Sequence, residues 1–311
     1  MSYSLVLVNR GTYQEVRDLV EIAALVRRAA PDIDTYVVSD EGENLVTREL
    51  AAEKPSLIVS FGEIRRFAPL RGRLYVGRYI PKHRQLIRMA NGGIPVPRTL
   101  VVTDGFPAEV PRFGNLVVLK KVAQDSSGGT GVVLVRYEKV RQKMEQLIQN
   151  DKWEYPILIQ EFIRTGRQAA TTRVATFLGE PILTWTSTLT EPLPDDGQPD
   201  ELLEKTNIAS NMAGVPKQRN YDLARETLAL ASRVFDVFRN IPLHGVDILT
   251  DDNNKHYVLE MNGGGNTWHF SSDLGVRIRA THGGRDKMIA QMGAWDIVAA
   301  ALVRRTRLEA Q

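Results

Sequence analysis

The chain has no cysteine in 311 residues. That excludes disulfides, thiolate-bound metals and a cysteine nucleophile, and it fits a reducing, cytoplasmic location. No apolar run approaches the ~20 residues of a membrane span. The first residues, "MSYSLVLVNRG", have neither a basic segment nor a long apolar one, so they do not read as a signal peptide. No membrane partner is expected. Charge of one sign is scarce too: 40 Lys and Arg against 37 Asp and Glu leave a net +3. So small an excess argues against nucleic acid as a partner, while homo-oligomers stay open. Internal repeats and low-complexity tracts are absent, as is a recognisable Ser-His-Asp pattern. The composition that remains is that of an ordinary globular protein, 43% hydrophobic and 25% charged. Its length suits two or three domains of ~150 residues.

Periodicity divides the chain into three parts. "SLVLVN", "DTYVVS" and "SLIVSF" read as strands, separated by helical patterns over 14–29 and 44–53. Strands alternating with helices imply a parallel sheet. A helix over 82–90 leads into "NGGIPVPRT", whose Gly and Pro residues mark a boundary. A second unit then holds strand 99–102, a lysine-bearing strand, helix 137–149 and strand 157–161. The third holds strands 172–178 and 181–187, helix 221–238, a hairpin and a helix over 285–305. Its Pro- and Asp-rich stretch 190–201 is expected to be a mobile loop. The domains are therefore set at 1–92, 93–163 and 164–311.

Chemistry concentrates in two places. "HGVDILTDDNNKHYVLEMNG" predicts a hairpin, strands 245–249 and 256–261 around a turn-rich "TDDNNK". Alternation points Glu260 and Asn262 to one side, and Asp247 on the partner strand can join them. Two carboxylates and an amide oxygen make a hard-cation site suited to Mg²⁺. A surface hairpin with scattered acids fits the spacing equally well. Upstream, "VVLKKVAQDSSGGTGVVLV" reads as strand, glycine loop, strand. It lacks the following helix that a Walker A loop or a dinucleotide fingerprint needs. Glycines still let successive N–H groups approach a phosphate, and a strand lysine adds charge. Solvated lysines on a plain hairpin loop are the alternative.

Three further features follow in order. "YPILIQEFIRTG" ends a strand at a natural hinge, where a backbone edge can recognise adenine, although it also fits a plain interdomain strand. Arg173 sits inside a Val-, Ala- and Thr-rich strand and faces either solvent or an anion. Lys205 and Asn207 in "LEKTNIASN" form a polar patch, or simply a solvated loop.

This ordered set over 75–265 resembles the ATP-grasp superfamily of carboxylate–amine ligases. The nearer likeness is to the branch with the glutamate-adding ligase of a ribosomal protein, and glutathione synthetase is further off. The resemblance implies an α/β ATP-grasp fold: an N-terminal parallel-sheet domain, then two α+β lobes clasping ATP. It also implies roles. Lys82 and Lys120 would meet ATP phosphates or adenine N7, with Lys121 the alternative if the register slips. The loop containing Ser126, Ser127, Gly128, Gly129 and Gly131 would close over the phosphates. Glu161 would take the adenine amino group, and the backbone of Phe162 and Ile163 the ring edge. Asp247, Glu260 and Asn262 would hold Mg²⁺, with Mn²⁺ a substitute. Arg173 would stabilise an acyl phosphate, and Lys205 and Asn207 would stand near the γ-phosphate. Substrates would be a carboxylate and an amine of amino-acid or peptide type. A kinase on the same fold and a non-catalytic ATP-binding module are the other readings.

Two departures bear on the acceptor side. Thr171 stands where relatives carry an Asp. "GGGNTWHFSSDLG" replaces the Ser-Pro-Gly turn that follows the metal Asn in the branch. A glutamate substrate therefore does not carry over. Trp268, His269, His244 and His282 could lie near the acceptor pocket, or could simply be packed or at the surface.

Overall fold

Up to Ser60 the chain alternates β-rich runs with amphipathic helices, and it folds as that alternation demands. Strands β1 (Tyr3–Asn9), β2 (Ile33–Ser39), β3 (Ser56–Ser60) and β4 (Arg73–Val76) form one parallel sheet in the order β2-β1-β3-β4. Helices α1 (Val16–Ala29) and α2 (Leu45–Ala52) are the crossovers that parallel neighbours need. The structure is a computed structural model. It describes residues 2–107, 109–122, 131–150, 153–209, 215, 217–219 and 223–311.

Helix α3 (Lys82–Asn91) leads through Gly93, in the left-handed region at φ 70°, into the central lobe. There β5 (Thr99–Val102), β6 (Leu116–Lys121), β7 (Val132–Arg136) and β8 (Ile157–Glu161) form an antiparallel sheet in the order β5-β8-β6-β7. Helix α4 (Val140–Gln149) covers one face, packing Val140, Met144 and Leu147 on Val117, Leu119, Ile157 and Ile159. Alternation sends Val118, Lys120, Leu158 and Gln160 to the other face.

The C-terminal lobe is a five-stranded antiparallel sheet, β11-β10-β9-β12-β13. Its strands are β9 (Gln168–Phe177), β10 (Glu180–Pro192), β11 (Lys217–Arg219), β12 (Leu243–Thr250) and β13 (His256–Asn262). Helix α5 (Asp200–Lys205) packs on β7 of the central lobe. Helix α6 (Arg225–Val237) buries Leu230, Ala231 and Val234 against Val174, Val246 and Ile248 on one face. The opposite face continues into the N-terminal unit, so that Phe177, Leu183 and Trp185 share a core with Leu5, Leu7 and Leu57. The helices α7 (Val276–Thr281), α8 (Arg285–Met292) and α9 (Ala294–Glu309) complete that core. Among the described residues no helix is long and apolar enough to cross a membrane.

Three of the differences from the sequence expectation bear on how the units are held. The helix expected over 285–305 is two helices, because Gly293 takes a left-handed φ of 71° between them. The second, α9, returns to the first unit: the Gln311 and Ser56 backbones exchange hydrogen bonds of 3.0 and 3.2 Å. The stretch 190–201 is held rather than loose. β10 runs on to Pro192, Leu193 is buried, and Arg136 donates to the Asp200 carboxylate (2.7 Å) and to the carbonyls of Asp196 and Gln198 (both 2.5 Å). A third difference is the short β4, which fills the edge of the first sheet.

Candidate active site

Antiparallel pairing places residues opposite one another on one face of the sheet. Across the C-terminal lobe, Trp185 lies opposite Arg173, Arg173 opposite Asp247, and Asp247 opposite Glu260. The adjacent row on one side is Ala175, Gly245 and Asn262. On the other side it is Thr171, Ser187 and Lys217. The register of β13 slips just past this point, since Asp247 pairs with Glu260 but Ile248 pairs with Val258. The extra residue lets Val258 and Met261 both enter the core under α6, while Glu260 and Asn262 face the site. Gly245 is required by close approach. A Cβ there would lie 2.9 Å from Thr267 Cγ2. Thr267 Oγ1 donates to the Asn262 carbonyl at 3.0 Å and so ties down the turn after β13.

Charges along the row are paired. Arg173 forks onto Asp247, Nε to Oδ1 at 2.6 Å and Nη2 to Oδ2 at 2.5 Å. Lys82, the first residue of α3, reaches Glu260 Oε2 at 3.1 Å. The Asn262 amide donates to Glu260 Oε1 at 3.3 Å. Gln85 docks α3 here, accepting the Met261 N–H at 2.8 Å and donating to the Ile80 carbonyl at 2.7 Å. The two carboxylates are driven apart in acidity. Burial, joined by Glu260, raises Asp247 against the pull of Arg173. Burial would raise Glu260 too, but Lys82 and Arg173 outweigh it and hold that carboxyl down to about 2. Lys120, from the central lobe, feels the same centre. Burial pushes it down to about 8, with Lys82 adding to the shift and Glu260 opposing it.

Asp247, Glu260 and Asn262 thus offer two carboxylates and one carboxamide side by side. Among the described residues no group of three or more His, Asp or Glu side chains converges. Such a sparse, all-oxygen set fits Mg²⁺, which keeps waters and phosphate oxygens as its other ligands. It would not suit a metal that needs a closed protein cage.

Other residues singled out from the sequence fall in several places. Ser126, Ser127, Gly128 and Gly129 lie outside the described residues. Gly131 enters β7 at φ 78°, and its carbonyl accepts the Lys121 N–H at 2.8 Å. Lys121 stands one residue from Lys120 and so on the α4 face. Glu161 also lies on that face, opposite Val117, and its carboxylate is held by Arg98 Nε at 3.0 Å and Nη2 at 2.7 Å. Gln160 shares the face of Lys120 and donates to Thr99 Oγ1 at 2.9 Å. Phe162 packs in the apolar clusters of both lobes, and Ile163 is buried beside it in sequence. Lys205 and Asn207 are exposed at and just beyond the end of α5. Asn207 turns its amide oxygen onto the Ala209 N–H at 2.9 Å. His244 faces α6, with its ring near Phe235 and Phe238.

Lys217 was missed. Burial pushes its ammonium down to about 8, Arg173 adds to the shift and Asp247 opposes it, so it belongs to this centre. The available signal was "KQR", two cations two positions apart, the spacing that puts residues on one strand face.

No family model and no curated protein matches the chain. Solved structures do. A D-alanine–D-alanine ligase from Bacillus anthracis superposes with a TM-score of 0.50 at 14% identity, covering 98% of this chain and 99% of that one. The ATP-grasp ligase PsnB complexed with a minimal precursor gives 0.51 at 15%, covering 98% and 100%. PsnB with a phosphomimetic variant of that precursor, Mg and ADP gives 0.50 at 14%, covering 98% of each chain. At such identities the likeness establishes the fold: the chain has the ATP-grasp architecture over nearly its whole length.

Proposed function

We propose that the protein is an ATP-dependent ligase that joins a carboxylate to an amine through an acyl phosphate, releasing ADP and phosphate. The observation that carries this reading is the convergence of Lys82 and Lys120 on the Arg173–Asp247–Glu260 row. Lys82 reaches the half-buried Glu260 carboxylate at 3.1 Å, Lys120 from a second unit is acted on by the same carboxylate, and Arg173 grips its buried neighbour Asp247. The names of the structural neighbours, a D-alanine ligase and a ligase bound to a precursor, point to amino-acid or peptide-type substrates.

A carboxylate resists attack by an amine because its leaving group is poor. In the first step a carboxylate oxygen attacks the γ-phosphorus of ATP and the bond to ADP breaks. In the second the amine nitrogen attacks the acyl carbon, phosphate departs, and the nitrogen loses a proton. Lys120 and Lys82 would bind the phosphates, and Arg173 would meet the charge that grows on the transferring group and the tetrahedral intermediate. The backbone of Phe162 and Ile163 would take the adenine edge, with Glu161 beside it on Arg98. The loop up to Gly131 would exclude water from the acyl phosphate. Asp247, Glu260 and Asn262 would hold Mg²⁺, which neutralises phosphate charge when bound; a neighbour of the same fold carries Mg with ADP. No side-chain nucleophile is needed, in keeping with a chain that has no cysteine.

The test is a screen for ADP release against amino acids, dipeptides and peptide carboxylates, each paired with amines, with mass spectrometry of the products. An amide with stoichiometric ADP and phosphate supports a ligase. A stable phosphorylated product means a kinase instead, and no turnover with any pair overturns the reading.

A further inference from the structure

Trp268 and His269 are adjacent in sequence and opposite in role. Trp268 is fully buried, donates its indole N–H to Asp18 Oδ2 at 2.7 Å and stacks on Trp295 with ring centroids 5.5 Å apart. Phe270 enters the same core. Arg279 holds the turn between them, donating to the carbonyls of His269 at 2.9 Å and Ser272 at 2.8 Å. His269, set between two core aromatics, meets the edge of Trp185 with centroids 5.0 Å apart. Trp185 is the neighbour of Arg173 in the cross-sheet row. His269 is only 5% exposed, yet neither ring nitrogen has a hydrogen-bond partner among the described residues. Burying polar nitrogens without partners is unfavourable, and native proteins keep few such groups without a reason.

The surroundings indicate what would satisfy it. Among the described residues, the charged and titratable groups that act on His269 include Arg173, Arg279, Lys217 and His282. Burial, reinforced by those groups, holds the imidazole down to about 3, so it is neutral and offers one N–H. Arg173, Arg279 and Lys217 all act on the ring as positive charges, so the field at this spot is positive. Two residues along β10 from Trp185 and on the same face, Ser187 lies opposite Lys217 in register, and its buried hydroxyl likewise has no partner among the described residues. A cationic amine is repelled from such a place. A carboxylate is attracted, and its oxygens can accept from an imidazole N–H and a serine O–H.

We infer that His269 and Ser187, with Lys217 and Arg173 behind them, form the subsite for the substrate carboxylate, and that the amine enters from elsewhere. This rests on the ligase reading above and deepens it. His269 would hold the carboxylate beside Arg173, where acyl-phosphate charge is to develop.

The experiment uses the full chain labelled with ¹⁵N-histidine, with acetate as the minimal carboxylate and acetamide and methylammonium as controls. The His269 ring signals are assigned by their loss in His269→Asn. Acetate should move them saturably, and the two controls should not. In His269→Leu the acetate Kd should rise about tenfold or more. His269→Asn, which keeps an N–H donor, should recover most of the loss, and both variants should bind a non-hydrolysable ATP analogue as the parent does. Unmoved His269 signals, equal shifts with methylammonium, or an unchanged acetate Kd in His269→Leu would overturn the subsite. The two readings fail separately. Acetate binding at His269 without amide product from any substrate pair sinks the ligase and keeps the carboxylate pocket. Amide formation with an unchanged carboxylate KM in His269→Leu sinks the pocket and keeps the ligase.

Discussion

Arg285 and Arg173 are both largely buried, with side chains 16% and 13% exposed, and both are paired with carboxylates. Around Arg285 the partners close on themselves. It reaches Asp18 at 2.6 Å and Glu21 at 2.5 Å, and those same carboxylates accept the indole N–H groups of Trp268 (2.7 Å) and Trp295 (2.8 Å). Around Arg173 the charges are less evenly matched. Asp247 is engaged, but Lys120 and Lys217 are both pushed down to about 8, and His269 has no partner among the described residues. A closed network fixes the fold, here by pinning the turn after β13 to α1. The other, held in place by that closed network, gathers cations whose electrostatic misfit a charged ligand would relieve.

The difference can be tested, beginning with the largest expected effect. Asp247→Asn combined with Glu260→Gln should lower ADP release by well over ~10³ in a protein with unchanged circular dichroism, because amides cannot replace ligand charge. Near-parental release from that folded variant would remove the metal assignment. Arg285→Met should act on the other network. Leaving Asp18 buried and uncompensated costs about 3–5 kcal/mol, read as the urea midpoint, while turnover per folded molecule stays within a few-fold. Lost turnover at full stability would mean that Arg285 is not architectural.

Arg173→Ala should cut turnover at saturating ATP by ~10²–10³ and leave ATP affinity within a few-fold, since its anion gains charge only during the reaction. Arg173→Lys should rescue little, as it lacks the planar fork that grips Asp247. If calorimetry shows affinity collapsing instead, Lys217 is the next residue to test. Lys120→Met should weaken ATP binding by about 1.5–3 kcal/mol, and Lys121→Met should not. Because Lys120 titrates at about 8 before phosphate binds, binding takes up a proton above that pH. Affinity should therefore fall as pH rises through about 8, and the Lys120 share of that slope should vanish in Lys120→Met.

The smallest effect belongs to Glu21. Burial would raise it, but Arg285, Trp295 and Arg17 hold it down from 4.5 to about 2. Its stabilisation is present above 4.5 and lost as pH falls toward 2. For so accessible a carboxylate the gain should stay below about 1 kcal/mol. Glu21→Gln should remove that share of the acid dependence of unfolding, and an unchanged acid limb would show the contact to be idle.

Much of the site was legible where local rules suffice. The hairpin around "TDDNNK" and the shared face of Asp247, Glu260 and Asn262 came from turn chemistry and strand alternation. Less local features were hidden. Glu161 looked free to meet adenine until Arg98, far upstream, took its carboxylate. The three-residue β11 was too short to stand out as a strand, so Lys217 went unnoticed. Nothing in the order Trp-His-Phe says which side chain the core will take, because that depends on Asp18 and Trp295 waiting on other elements.

By itself, then, the sequence determined the parallel first sheet, the antiparallel acidic hairpin and the residue types able to bind phosphate and a hard cation. These follow from period, turn residues and side-chain chemistry within a few positions of one another. Tertiary structure alone decided which groups meet: Lys82 with Glu260, Arg173 with Asp247, Lys120 rather than Lys121 toward that centre, and His269 against Trp185. Each of those pairings joins segments distant in the chain, and its strength comes from burial that exists only once the three units have closed on one another.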